Sequence, residues 1–311
     1  MASNTYSPSI DQAAKLIFQD NFMELAQQTK SLLGGSKVVT YLPSKGKTNN
    51  LARIGRIELE EVSTRNPNKS YGDYSVDNRQ LTKRRFTKTI TIDAKYDINE
   101  LLKDPTSDIL KQLVNAKERV IDRVIASAAQ GAVLIGQPDA APTSVSAATD
   151  GVLTVAGTAG ISSTILNGVI QKFINNDLPY DLIRGSVLCI TGKENSALMA
   201  DDKFINSLYM DAKPIADGKI SKAGLFEVAL FAGSETGLTV TSPVLDETPS
   251  SGTVRNCLAL TPESVAVAME IGDLSVEKNP NKVNSMDITI DLWINAMRTE
   301  GARVIIVTTT I

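Results

Sequence analysis

An α+β fold is predicted by three observations. A helical apolar repeat runs without a break over about 25 residues after Asp104. Alternating, β-branched segments lie before it and again at the end of the chain. Between them, short helical and strand patterns succeed one another from about residue 161 to 260.

The first element is an amphipathic helix over 9–33. Ile10, Ala13, Ala14, Ile17, Phe18, Phe22 and Leu25 recur at three- and four-residue spacing, and Gly34-Gly35 ends the pattern. Nothing adjacent in sequence covers its apolar face, so that face packs within its own domain or on a partner subunit. Lys37 to Pro43 then reads as a short strand.

Residues 37–95 hold thirteen basic against six acidic residues, a local excess of +7 in a chain of net charge −3. Two stretches here alternate with period two, Ala52 to Glu60 and Arg84 to Asp93. The polar stretch Ser63 to Leu81 lies between them. The pattern predicts a long two-stranded β-arm with a basic, polar tip. A two-stranded arm is marginal in water and needs a surface to lie on. The opposite charge of the rest of the chain makes a neighbouring subunit suitable. Interleaved acids and sparse aromatics argue against nucleic acid as its target.

The central helix begins with Asp104 as N-cap and Pro105 at the first position. Ile109, Leu110, Leu113, Val120, Ile121, Val124 and Ile125 form one face. Lys111, Asn115, Glu118 and Asp122 form the other. Gly131 stops it after roughly 37 Å. Residues 131–160, rich in Gly, Ala, Ser, Thr and Pro, read as a loop or domain boundary. Beyond them the spacing predicts a helix through Ile165 to Ile174, a buried strand at Ser186 to Ile190, short helices at 196–199 and 202–209, and a strand at Leu225 to Phe231. The end of the chain reads as a strand at Leu258 to Leu260, a short helix at Pro262 to Ala268, and strands at 286–293 and 303–307.

The chain contains no histidine, the commonest general base near neutral pH and the commonest metal ligand. Its absence excludes a Ser-His-Asp or Cys-His nucleophile and the usual zinc sites. Cys189 and Cys257 sit among apolar neighbours and read as buried thiols of a reducing compartment. Gly192-Lys193 after a strand fails as a phosphate-binding loop, because Val187 and Glu194 occupy the positions that require Gly and Ser or Thr. Gly233 to Gly237 is no nucleophile elbow. Asp201-Asp202 reads as a helix start, and Asp97, Glu100 and Asp104 as a solvated edge. No catalytic, metal or cofactor constellation is expected, and no enzyme. The N-terminus lacks a secretory signal and no apolar run reaches about 18 residues, so a soluble protein without a membrane span is expected.

The order of parts resembles the major capsid protein of tailed bacteriophages, the Hong Kong 97-type fold. Local sequences add to it: Arg53-Ile54-Gly55 entering the arm, Thr91-Ile92-Asp93 leaving it, Ala126 to Gly131 ending the long helix, and Leu260 to Ala266 as the family's late short helix. The resemblance implies an N-terminal arm and entry strand at 1–43 and an extended β-arm at 44–95. It implies a peripheral domain at 96–145 and 263–311 that carries the spine helix, and an axial domain at 146–262. It implies a self-assembling icosahedral shell of pentamers and hexamers around double-stranded DNA, bound without sequence specificity. The shell would belong to the virion and be assembled in the host cytoplasm, with a portal and, given the start close to the arm, a separate scaffolding protein. Arg53, Arg56, Lys69, Arg79, Arg84 and Arg85 on the arm, with Phe18 and Phe22 on the N-terminal helix, are the expected intersubunit contacts. A bacterial nanocompartment shell of the encapsulin kind, enclosing protein cargo, shares the resemblance.

Overall fold

The structure is a computed structural model that describes residues 27–43, 45–65, 68, 71–93, 106–136, 141–157, 160–201, 220–232, 245, 254–272, 274–282 and 284–310. The chain divides into two compact units. One is formed by 1–30, 85–119 and 271–293, the other by 31–84, 120–270 and 294–311.

The larger unit is built on a six-stranded mixed sheet. Its strands are β7 (Leu153–Gly157), β8 (Val187–Thr191), β9 (Lys222–Ala223), β10 (Phe226–Phe231), β11 (Val254–Leu260) and β15 (Val304–Thr310), in the spatial order β7-β15-β11-β8-β10-β9. β8 is buried at every position, which suits an uninterrupted apolar run in the middle of a covered sheet. Helix α2 (Ser163–Asn175) puts Leu166, Val169 and Phe173 against this sheet, and α4 (Gly192–Ala200) adds Leu198. The one-turn helix α3 (Tyr180–Ile183) adds Ile183. Cys189 and Cys257 are free and buried in this core, and burial pushes both thiols upward.

Glu194, which spoils the phosphate-loop pattern, has a structural use. It accepts from the Thr191 backbone amide at 3.2 Å at the start of α4 and from the Thr309 hydroxyl at 3.1 Å. Asp201 accepts from the Ser163 amide at 2.8 Å, at the first turn of α2.

A second, antiparallel sheet in the same unit has the order β2-β3-β5-β6, formed by Thr48–Ile54, Val76–Thr82, Val133–Ile135 and Thr143–Val145. Beside it, β1 (Val39–Tyr41) pairs in parallel with β12 (Val265–Ile271). In the smaller unit, β4 (Arg84–Asp93) and β13 (Ser275–Lys278) both pair with β14 (Ser285–Arg298). Ile92 and Ile288 pack there on Leu113, from the first half of α1 (Thr106–Gln130).

Several sequence expectations are corrected. Pro262 to Ala268 is no helix. Glu263 turns the chain at φ 57°, and Val265 to Ile271 is a strand. Its β-branched residues pair with β1, so pairing overrides a run too short to fix its own period. The strand expected at 52–60 is displaced to Thr48–Ile54, and its partner is Val76–Thr82 rather than 84–93. The 131–160 stretch carries β5, β6 and β7.

The helix expected over 9–33 does not include 27–33. Asp122 takes the amides of Leu32 and Leu33, both at 3.0 Å, and the Ser31 hydroxyl at 2.5 Å, so these donors do not point along a helix. Residues 9–26 lie outside the described residues, as do 202–209. Asp122 and Asn115 are buried, not on a solvated face. No helix among the described residues is long and apolar enough to cross a membrane.

Candidate assembly interface

β2 and β3 form a hairpin in unbroken register, from Thr48 opposite Thr82 to Ile54 opposite Val76. Beyond it, residues 55–75 carry no regular secondary structure among the described positions. Among the described residues, this loop is where the chain departs most from the usual partition of apolar residues. Leu59 is 99% exposed, Tyr71 90%, Ile57 72% and Tyr74 66%. Single exposed apolar residues are ordinary, but a cluster of large ones marks a surface that another surface covers. Most of the basic excess of 37–95 lies in the segments flanking the loop, on Lys37, Lys45, Lys47, Arg53, Arg79, Lys83, Arg84, Arg85, Lys88 and Lys95, and Arg65 and Lys69 stand in the loop. The loop itself carries Glu58, Glu60, Glu61 and Asp73 against Arg56, Arg65 and Lys69.

The root is held by a chain of alternating charges. Arg53 on β2 bonds Asp77, its cross-strand partner on β3, at 2.9 Å. Asp77 lies 3.6 Å from Nε of Arg79. Arg79 donates from both terminal nitrogens to Asp150, at 3.1 and 2.5 Å, and also to the Arg298 carbonyl at 2.8 Å. Nε of Arg298 donates to Asp150 at 3.0 Å. Nη1 of Arg298 donates to the carbonyls of Ala129 and Gly131 at 2.9 and 2.6 Å, where α1 ends. A guanidinium there both satisfies orphan carbonyls and meets the negative end of the helix. The side chains of Arg79 and Arg298 are fully buried and that of Asp150 is 3% exposed. Burial lowers the pKa of Arg298, and Asp150 opposes that shift. Two cations around one carboxylate make Asp150 the centre of the group. The backbone is close here too, since a Cβ on Gly301 would lie 1.9 Å from the Asp150 carbonyl oxygen.

The expected contact residues fall into distinct settings. Arg79 is buried inside the subunit, both terminal nitrogens donating to Asp150. Arg53 pairs with Asp77 at the hairpin surface. Arg56, in the loop, pairs with Asp177 beyond the end of α2, both side chains being largely exposed. Arg84 meets the Asn295 side-chain oxygen at 3.3 Å. Arg85 belongs to the smaller unit. It grips Asp291 at 2.9 and 3.1 Å and lies 5.7 Å from the centre of the Trp293 ring. That bond holds the Asp291 carboxyl below its ordinary value. Phe18, Phe22 and Lys69 lie outside the described residues, as do Asp97, Glu100, Asp104 and the 233–237 glycine segment. Asp150, Arg298 and Asp122 were missed from sequence. Asp150 lies in the 131–160 stretch read as a loop or domain boundary, and Arg298 lies beyond the strand expected at 286–293.

No group of three or more potential metal ligands is found among the described residues. An anchored hairpin presents an apolar, mildly acidic loop.

The comparisons agree with this architecture. The family model described as phage capsid protein matches residues 10–311. No curated protein matches the sequence. Among solved structures, that of Mycobacterium phage Che8 aligns with a TM-score of 0.66 at 11% identity, covering 94% of this chain and 95% of that one. The head structure of Helicobacter pylori bacteriophage KHP40 aligns at 0.66 with 10% identity, covering 99% of each chain. The mature capsid of bacteriophage PhiM1 aligns at 0.65 with 12% identity, covering 94% and 91%. Sequence identity this low with nearly complete coverage means that the fold is shared while almost every contact is made by different residues. The chain belongs to the phage capsid protein family, in the Hong Kong 97-type fold of tailed-phage major capsid proteins.

Proposed function

We propose that this protein is the subunit of an icosahedral shell of pentamers and hexamers that encloses phage double-stranded DNA, and that its role is structural rather than catalytic. The observation that carries the reading is the exposed apolar loop at 55–75, mounted on a hairpin whose root is fixed by the Asp150 ion group. Large apolar residues exposed together in one loop mark a surface of interaction, and the anchored root favours cover by a neighbouring copy. The segment 44–95 is then the arm between subunits, 146–262 the axial domain, and 96–145 with 263–311 the peripheral domain. Arg53, Arg56, Lys69, Arg84 and Arg85 remain candidate contacts across the interface, with Phe18 and Phe22. Arg79 has no free surface to offer one.

Assembly takes place in the host cytoplasm, with a scaffolding protein and a portal, and the packaged DNA is held without sequence specificity. The family match to phage capsids favours a genome over the protein cargo of a nanocompartment. The test replaces residues 56–74 by an Asn-Gly turn, which keeps β2 and β3 paired. The shortened chain is expected to fold with unchanged circular dichroism and to form no shells. Normal shells from it would overturn the role given to the arm.

A further inference from the structure

The larger unit contains a cavity of about 300 Å³ beside the hairpin root. Its apolar wall is formed by Val124 and Ala128 of α1 and by Val133 and Leu134 of β5, and Arg84 and Asn295 are among its polar lining residues. Leu134 is an apolar residue left 37% exposed. Among the described residues Arg84 meets an amide oxygen and no carboxylate. The cavity therefore asks for an apolar side chain accompanied by an acid.

The chain carries such a segment. Leu59 is almost completely exposed and stands between Glu58 and the pair Glu60-Glu61. Glu58 has one long contact, 3.9 Å to Arg56, with most of its side chain in solvent. Building on the shell reading above, we propose that this cavity receives Leu59 from the arm of a second copy. Leu59 fills the space against Val133 and Leu134, and the flanking glutamates meet Arg84 at the rim. Apolar insertion supplies the affinity, and the acid-arginine match sets the register. The fit also explains the acidic flank. Without a basic rim to meet, three glutamates around the most exposed leucine among the described residues would only oppose its burial.

The experiment is disulfide trapping in mixed assemblies of the full-length chain. One preparation carries Leu59→Cys and the other Leu134→Cys. Both positions are exposed, so neither change disturbs the core, and the natural thiols are buried. The two are mixed, assembled, oxidised and run on a non-reducing gel beside each variant alone. The expected result is a dimer-sized band in the mixture that is lost on reduction and exceeds the band from either variant alone. Shells that form from the mixture without that band would overturn the cavity assignment while leaving the shell reading intact. Failure of the unsubstituted chain to form shells, both alone and when expressed with its neighbouring genes, would remove the shell reading and this inference with it. As a second measurement, Arg84→Glu is expected to slow assembly, and Arg84→Glu combined with Glu58, Glu60 and Glu61 each changed to Lys is expected to restore it. Assembly of Arg84→Glu at the normal rate would count against the rim contact.

Discussion

Asp150→Asn removes the one negative charge at the centre of the hairpin root and leaves its shape nearly unchanged. In the wild-type chain Asp150 accepts three charged hydrogen bonds, two from Arg79 and one from Arg298, and all three side chains are shielded from water. With an amide there, two buried guanidiniums face each other, and the partly exposed Asp77, 3.6 Å from Arg79, is the counter-charge left beside them. Breaking a buried ion pair by removing one partner costs about 3–5 kcal/mol, because the other charge is left stranded. The control is Asp77→Asn. Asp77 is partly exposed, its contact with Arg79 is 3.6 Å, and its closer partner Arg53 is more than a third exposed. Solvent screening limits that loss to about 1 kcal/mol or less. Both variants are measured by urea unfolding of the unassembled chain, followed by circular dichroism and compared at constant m. A loss below about 1 kcal/mol for Asp150→Asn, or one equal to that of Asp77→Asn, would refute the assignment of Asp150 as the centre of the root.

Two further expectations are independent of that cluster's charges or of that unit. Gly301→Ala places a methyl group 1.9 Å from the Asp150 carbonyl oxygen and 2.6 Å from its carbon, where backbone and not a flexible side chain must yield. A loss of about 1–3 kcal/mol is expected, and an unchanged thermal midpoint would show that the turn can relax. The second concerns Asp291, whose carboxyl is lowered by the hydrogen bond from Arg85. A lowered folded-state value means that the pair's contribution is present above the unfolded carboxylate value and lost as pH falls through the folded one. Trp293 is the only tryptophan in the chain and lies beneath Arg85, so its fluorescence reports the change. The expected midpoint lies below the ordinary carboxylate value and vanishes in Asp291→Asn. A midpoint at or above the ordinary value would contradict the bond.

What could be read from sequence follows from how local each signal is. The long helix, α2 and β8 were legible because periodicity and stop residues lie within the segments themselves. The partner of β2 was not. Val76 to Thr82 is mostly polar, and its strand character comes from pairing with β2 and β5, not from its own pattern. The helix expected at 262–268 failed for the same reason, because the short apolar run Val265 to Ala268 takes its conformation from pairing with β1. Asp122 looked like a solvated helix residue until the 31–33 segment folded onto it. The local basic excess was legible, but not its division within the segment. Summing over 37–95 hid a basic root and a mildly acidic loop.

The most direct test of the central claim is electron microscopy of the purified full-length chain, expressed alone and with the genes that neighbour its own. The account predicts closed shells built from five- and six-subunit rings, with the 55–75 loop resistant to protease only in the assembled state. A stable monomer under both conditions, with that loop protected on its own subunit, would contradict it.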